Sequence, residues 1–69
     1  MTRIQINAQI RNLIIQHIAA NTNYRTRTAI NNLSTRFNVP KQVVSGNISW
    51  LVRSGAVNIA KCRPNSYLY

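Results

Sequence analysis

Residues 33–44 read LSTRFNVPKQVV, and this stretch predicts the end of one helix, a tight turn and the start of another helix. Leu33 and Phe37 are four residues apart, which is the spacing of one helix face. Asn38 tolerates the left-handed backbone conformation of a turn. Pro40 is favoured at the first residue of a helix. The segment therefore predicts two helices joined at a turn around Asn38.

The apolar residues on either side extend both helices. The earlier helix is predicted to begin at Thr26, which can cap it, and its apolar side consists of Ala29, Ile30, Leu33 and Phe37. The later helix is predicted to run to about Ser54, where Gly55 can end it. Its predicted buried stripe consists of Val44, Ile48, Leu51 and Val52. Both helices are therefore short and amphipathic.

A further helix is predicted over residues 7–20, near the start of the chain. Its apolar residues recur at intervals of three and four: Ile10, Leu13, Ile14 and Ile18. Asn7 can cap its first turn, whereas Thr2 and Gln5 offer an earlier start through a capping box. Residues 1–6 are therefore either an arm that carries Arg3 or an extra helical turn.

The rest of the chain favours short strands. Residues 24–25 can form a two-residue strand, and residues 56–62 have the β-branched, alternating character of a longer one. Residues 63–66 contain Pro and Asn at turn-favouring positions, and residues 67–69 can return as an antiparallel partner. The predicted fold is mainly α with a small β-hairpin, in which one domain of 69 residues has three helices followed by a two-stranded ribbon.

The charge composition excludes several classes of function. The chain has no Asp or Glu against nine Lys and Arg, for a net charge of +9. Carboxylate-based hydrolysis, the Ser-His-Asp triad and calcium or magnesium cages all need side-chain oxyanions. One His and one Cys cannot build a structural zinc site or an internal disulfide. We therefore expect no enzymatic activity, no cofactor and no metal, and a reducing, cytoplasmic environment.

The same charge predicts a polyanionic partner. Ten Asn and four Gln supply hydrogen-bonding groups that do not repel phosphate. A membrane surface would require cations along one face of a helix, yet they are scattered from Arg3 to Arg63. The sequence shows no basic start followed by the apolar run of a signal peptide and no apolar stretch of membrane-spanning length, so we expect the protein to be neither exported nor embedded in a membrane. Nucleic acid is therefore the expected partner, and a membrane is not.

These elements, in this order, resemble the winged helix-turn-helix DNA-binding superfamily, and most closely the bacterial regulators related to the multiple-antibiotic-resistance repressors. The resemblance covers nearly the whole chain and is carried by residues 33–39 and 40–45, by Leu51, Gly55, Ala56 and Val57, and by residues 63–68. Asn38 and Ser34 replace the Gly and Ala that the family often has. Asn47 replaces an apolar residue, so it should find a hydrogen-bond partner or face solvent.

The resemblance implies that the third helix enters the major groove of double-stranded DNA. Lys41, Gln42, Ser45 and Ser49 would face the bases, and their helical spacing independently places them opposite the apolar stripe. Phosphate contacts are expected from the start of the second helix, at Arg25, Arg27 and Thr28. The wing would add Lys61, Arg63, Asn65, Ser66 and Tyr67, with Arg63 reaching the minor groove.

Several alternatives stay open at this level. The chain is either a small transcriptional regulator or a DNA-coating accessory protein of a phage, plasmid or other mobile element, acting as a weak or DNA-dependent homodimer. Alternatively, it is an adaptor for an acidic protein, or it binds RNA or single-stranded DNA through Tyr67 and Tyr69. Trp50 either packs against the first helix or forms a dimer patch. His17 is expected at the boundary of the core.

Overall fold

The computed structural model describes residues 2–20, 24–62 and 65–69. This part of the chain contains three helices and three short strands. In chain order they are α1 (Arg3–Ala20), β1 (Tyr24–Arg25), α2 (Thr26–Phe37), α3 (Lys41–Ser54), β2 (Ile59–Cys62) and β3 (Asn65–Leu68). The predicted mainly helical fold, with three helices and a C-terminal β-hairpin, is confirmed.

Helix α1 begins at Arg3 because a capping box closes its first turn. The Thr2 backbone N–H donates to Gln5 Oε1 at 3.0 Å, and the Gln5 N–H donates to Thr2 Oγ1 at 3.2 Å. These reciprocal bonds satisfy two N–H groups that a helix start leaves without partners. The earlier of the two predicted starts is therefore correct, and Arg3 lies on a helix and not on an arm.

The turn between α2 and α3 has the predicted left-handed residue. Asn38 has φ 52° and ψ 50°, and its N–H donates toward the carbonyl oxygens of Ser34 and Thr35. The Val39 N–H donates to the Ser34 oxygen at 3.0 Å. Pro40 occupies the N-cap position of α3, one residue before the helical position predicted for it.

The predicted Thr26 cap is wrong. Arg25 occupies the N-cap position of α2 with an extended backbone, and no side-chain hydrogen bond caps this end. Thr26 lies inside the helix, where its Oγ1 atom is buried and has no hydrogen-bond partner among the described residues. The reason is that Arg25, which pairs with Tyr67 of β3, takes the extended N-cap position, so Thr26 is already the first helical residue.

Strand β2 starts at Ile59, three residues later than predicted. Gly55 ends α3 with φ 82°, and the N–H groups of Ala56 and Val57 both donate to the Leu51 carbonyl oxygen, at 3.1 and 3.3 Å. These two N–H groups therefore bond to a carbonyl oxygen at the end of the helix. They cannot also form the hydrogen bonds of a β-strand.

The strands form one antiparallel sheet in the order β1-β3-β2. Pairing of β2 with β3 runs from Ile59↔Leu68 to Cys62↔Asn65, so Asn65 and Ser66 lie in a strand and not in the predicted turn. Tyr24 also pairs with Leu68, which makes the sheet three-stranded where a two-stranded ribbon was expected. The other two predicted turn residues, 63 and 64, lie outside the described residues.

One core joins all three helices to the sheet. Its buried side chains are Ile10, Ile14, Ala29, Leu33, Val44, Ile48, Leu51, Val57 and Leu68. His17, expected at the core boundary, is instead exposed, and its ring stacks on Tyr24 with centroids 4.7 Å apart. None of the helices in the described ranges is both long enough and apolar enough to span a bilayer.

Candidate nucleic-acid interface

The outer face of α3 presents the residues predicted to read bases. Lys41, Gln42, Ser45 and Ser49 are all exposed. Val44, Ile48 and Leu51 on the opposite side are buried in the core, where α3 packs against α1 and α2. The sequence spacing alone therefore identified the solvent-facing side of this helix correctly.

Arg53 and Gly46 lie on the same face of α3. No DNA contact was predicted for Arg53 from the sequence. At 3.6 residues per turn, Gln42, Ser49 and Arg53 lie within about 40° of one another around the helix axis. Arg53 is exposed in line with them, and its spacing of four residues from Ser49 was the signal that could have identified it. Gly46 lies one turn beyond Gln42, and a Cβ added to it would meet no atom within 4 Å.

A groove of about 310 Å³ separates α3 from the hairpin. Its apolar lining comes from Ile48, Val52 and Ile59, and its polar lining comes from Ser49, Arg53 and Lys61. The groove thus brings a predicted wing residue, Lys61, next to the predicted base-reading helix. Two cations, Arg53 and Lys61, border the same depression.

The predicted wing residues do not share one face of the sheet. Lys61 pairs with Ser66 and alternates with Ile59, so both lie on the face that carries the buried Leu68. Asn65 and Tyr67 lie on the opposite face, where Tyr67 pairs with Arg25 of β1. Asn65, Ser66 and Tyr67 are half-buried, whereas Lys61 is exposed. Arg63 lies outside the described residues.

The start of α2 has the features of an anion-binding helix end. Arg25, Arg27 and Thr28 are exposed there. The first turn contains no acidic residue, and no side-chain hydrogen bond caps it. No side-chain cap or carboxylate therefore offsets the positive end of the helix dipole, and Arg25 and Arg27 add two positive charges to the same turn.

A second groove, of about 250 Å³, lies between α1 and α3 and centres on Asn47. Asn47 is only 4% exposed, and the expectation that it finds partners is confirmed. Its Oδ1 atom accepts from Arg11 Nε at 2.9 Å, and its Nδ2 atom donates to Asn7 Oδ1 at 3.1 Å and to the Val43 carbonyl oxygen at 2.8 Å. This side chain therefore ties α1 to α3.

Arg11 and Trp50 form the rim of the same groove. The Arg11 Cζ atom lies 4.0 Å from the centroid of the Trp50 ring. Trp50 remains 50% exposed, and this cation–π contact joins its ring to α1. Arg3 and Gln42 also line this groove. No role for Arg11 could be predicted from the sequence, because its partners Asn47 and Trp50 lie more than 30 residues further along the chain.

The charges around these surfaces have no internal compensation. The chain contains no Asp or Glu, so no arginine or lysine can form a side-chain salt bridge. In the described part of the chain, no three His or Cys side chains lie close enough to hold a metal ion. What the surface offers chemically is uncompensated cations, amides and hydroxyls, the groups that contact phosphates and base edges.

Comparison of the chain with protein-family models, with curated proteins and with solved structures finds no match.

Proposed function

We propose that this protein binds double-stranded DNA, with α3 in the major groove and the hairpin beside the phosphate backbone or the minor groove. The observation that carries the proposal is the exposed polar face of α3, which lies between two grooves that are each lined by uncompensated cations. The order of helices and strands, which resembles a winged helix-turn-helix domain, supports the same docking.

The dimensions and chemistry of α3 suit this role. A major groove about 12 Å wide admits a helix of about 10–12 Å diameter. Gln42 can pair with adenine through both amide atoms, Lys41 can donate to the acceptors of guanine, and Ser45 can serve either base. Because Ser45 does not discriminate and only Gln42 and Lys41 favour particular bases, we expect a modest sequence preference.

The phosphate contacts would come from both sides of α3. Arg25, Arg27 and Thr28 at the start of α2 would bind one strand of the backbone. Lys61 and Arg53 border the groove on the hairpin side and would contact the other strand. A minor-groove contact by Arg63 stays a prediction from the sequence.

Biologically, this activity suits a small transcriptional regulator or a DNA-coating accessory protein of a phage, plasmid or other mobile element. A regulator that reads a palindromic site binds it as a two-fold dimer. The proposal therefore includes a weak homodimer, or one that forms on DNA.

One observation favours a second candidate, the binding of single-stranded nucleic acid. Tyr67 lies on the outer face of the sheet beside Arg25, and the neighbouring Tyr69 is 53% exposed. Aromatic rings next to cations are the usual platform for unpaired bases. For binding of an acidic protein partner, by contrast, the net positive charge is the only supporting observation.

Competition between three labelled nucleic acids tests the proposal. Duplex DNA should bind more tightly than single-stranded DNA or RNA of the same length and sequence. Lys41→Ala and Gln42→Ala should lower the preference for a selected sequence, whereas Lys61→Ala should weaken all duplexes about equally. Arg36→Gln is the control, because it removes one positive charge at an exposed position on α2 outside the proposed interface.

Two outcomes would overturn this assignment. Tighter binding of single strands, abolished by Tyr67→Ala and Tyr69→Ala together, would move the site to the outer face of the sheet. Binding of an acidic polypeptide such as polyglutamate, with no preference for duplex DNA over it, would favour the adaptor role.

A further inference from the structure

The groove between α1 and α3 contains an arginine held in one orientation without a counter-charge. Arg11 is fixed at one end by the hydrogen bond from Nε to Asn47 Oδ1, and its guanidinium group lies over the Trp50 ring. Asn47 is itself buried and held by Asn7 and the Val43 carbonyl oxygen. Side chains from two helices, α1 and α3, thus position one cation.

This arrangement leaves the outer edge of the guanidinium group open. The hydrogen bond to Asn47 uses Nε, and a guanidinium carries five N–H donors. No described residue accepts a hydrogen bond from the two Nη atoms, and the sequence has no Asp or Glu that could. Two parallel Nη donors in a fixed plane match the oxygens of a phosphate.

The surroundings indicate which phosphate would bind. Arg3 lines the same groove and adds a second cation. Gln42 and Gly46, on the face of α3 proposed to enter the major groove, line its other side. A DNA strand that borders the major groove occupied by α3 would therefore pass over this groove.

We infer that Arg11 and Arg3 form a clamp for one backbone phosphate of the DNA strand on the α1 side of α3, and that Trp50 is the platform that orients it. The inference rests on the proposed function and extends the interface to α1, to which neither the sequence nor the helix-turn-helix resemblance assigned a contact. A guanidinium that is already ordered loses little further side-chain entropy when it binds, so this clamp should contribute more than a mobile surface arginine.

The fluorescence of Trp50 reports whether DNA binds at the groove between α1 and α3. It is the single tryptophan of the chain and is half exposed. A strand bound over Arg11 would cover its ring and change the polarity around it. Titration with duplex DNA should therefore quench the Trp50 emission and shift it to shorter wavelength, with the same midpoint as binding measured by anisotropy of labelled DNA.

Salt dependence supplies the second test. Arg11→Gln removes the charge but keeps an amide N–H that can donate to Asn47. It should weaken duplex binding about tenfold at 50 mM salt. Since one fewer counterion is released, the deficit should shrink by about 3.5-fold between 50 and 200 mM salt. Arg11→Lys should keep the wild-type salt slope but bind more weakly, because it lacks the planar fork.

Arg36→Gln removes the same charge elsewhere and should keep the wild-type slope. Circular dichroism and the melting temperature of each variant would show that it is folded. If the wild type binds duplex DNA but Arg11→Gln keeps its slope and Trp50 emission does not respond, the clamp is wrong and the proposed function stands. If the wild type shows no duplex binding, both are wrong.

Discussion

Arg11 Nε and Asn47 Oδ1 are hydrogen-bonded at 2.9 Å, although the two residues are 36 positions apart. The bond crosses from α1 to α3, and Asn47 is only 4% exposed. A buried amide without partners costs roughly 1–3 kcal/mol, yet here both of its polar atoms are paired. The hydrogen bonds of Asn47 therefore constrain the relative orientation of α1 and α3. An apolar residue at this position would constrain only the distance between the two helices.

Removal of this amide should destabilise the fold. Asn47→Ala leaves Asn7 Oδ1 and Arg11 Nε without their partner and opens a cavity, so we expect a loss of about 1–3 kcal/mol in the free energy of unfolding. Urea denaturation followed by circular dichroism measures it. Asn32→Ala, at an exposed position on α2, is the control and should change stability by less than about 0.5 kcal/mol. Equal effects of the two substitutions would show that the Asn47 hydrogen bonds contribute nothing.

The two glycines should respond in opposite directions to the same substitution. Gly46 lies inside α3, and a Cβ there meets no atom within 4 Å, so Gly46→Ala should stabilise the free protein by about 0.5–1 kcal/mol. Gly55 has φ 82°, so Gly55→Ala should destabilise it by about 1–2 kcal/mol. Thermal melts of the two variants test this. Stabilisation by Gly55→Ala would contradict the left-handed end of α3.

Alkaline pH should weaken the fold through Tyr24. Burial raises the pKa of the Tyr24 hydroxyl above its ordinary value of 10.0. The folded state therefore holds this proton more tightly than the unfolded state, so its contribution to stability is complete below pH 10 and is lost as the pH rises above 10.

Tyr24→Phe removes the titrating hydroxyl, so its stability should fall less than that of the wild type between pH 9 and pH 11. Tyr69→Phe is the control, because Tyr69 is 53% exposed and should keep the wild-type dependence. Urea midpoints across this pH range distinguish the variants. Identical curves for the wild type and Tyr24→Phe would show that burial of this hydroxyl has no effect on stability.

Added salt should stabilise the free protein. All nine charged side chains are cations, so their net interaction is repulsive, and salt shortens its range to about 8 Å at 0.15 M ionic strength. We expect the melting temperature to rise steadily from 10 to 300 mM sodium chloride. A melting temperature that falls or stays constant would mean that the cations are too far apart to repel one another.

The local part of the fold could be predicted from the sequence. Asn38, Pro40 and Gly55 act on their own backbone or on neighbouring residues, so the turn and the ends of α3 follow from short-range rules. The exposed face of α3 follows likewise from periodicity, because Val44, Ile48 and Leu51 recur at helical spacing.

The errors fall where distant residues compete for the same backbone groups. Ala56 and Val57 have strand-like side chains, but their N–H groups bond to Leu51 of the preceding helix. Leu68 pairs with Tyr24, more than 40 residues earlier, as well as with Ile59, so the sheet has three strands where two were predicted. The roles of Arg11 and Trp50 depend on the packing of α1 against α3, which local sequence does not encode.

The salt dependence of duplex binding tests the central claim most directly. If α3, α2 and the hairpin together neutralise four to six phosphates, the logarithm of the association constant should fall against the logarithm of salt concentration with a slope of roughly −4 to −5. Fluorescence anisotropy of a labelled duplex from 50 to 300 mM sodium chloride measures this slope. A slope in that range is the expected result, and an affinity independent of salt would contradict the proposal that this surface binds the DNA backbone.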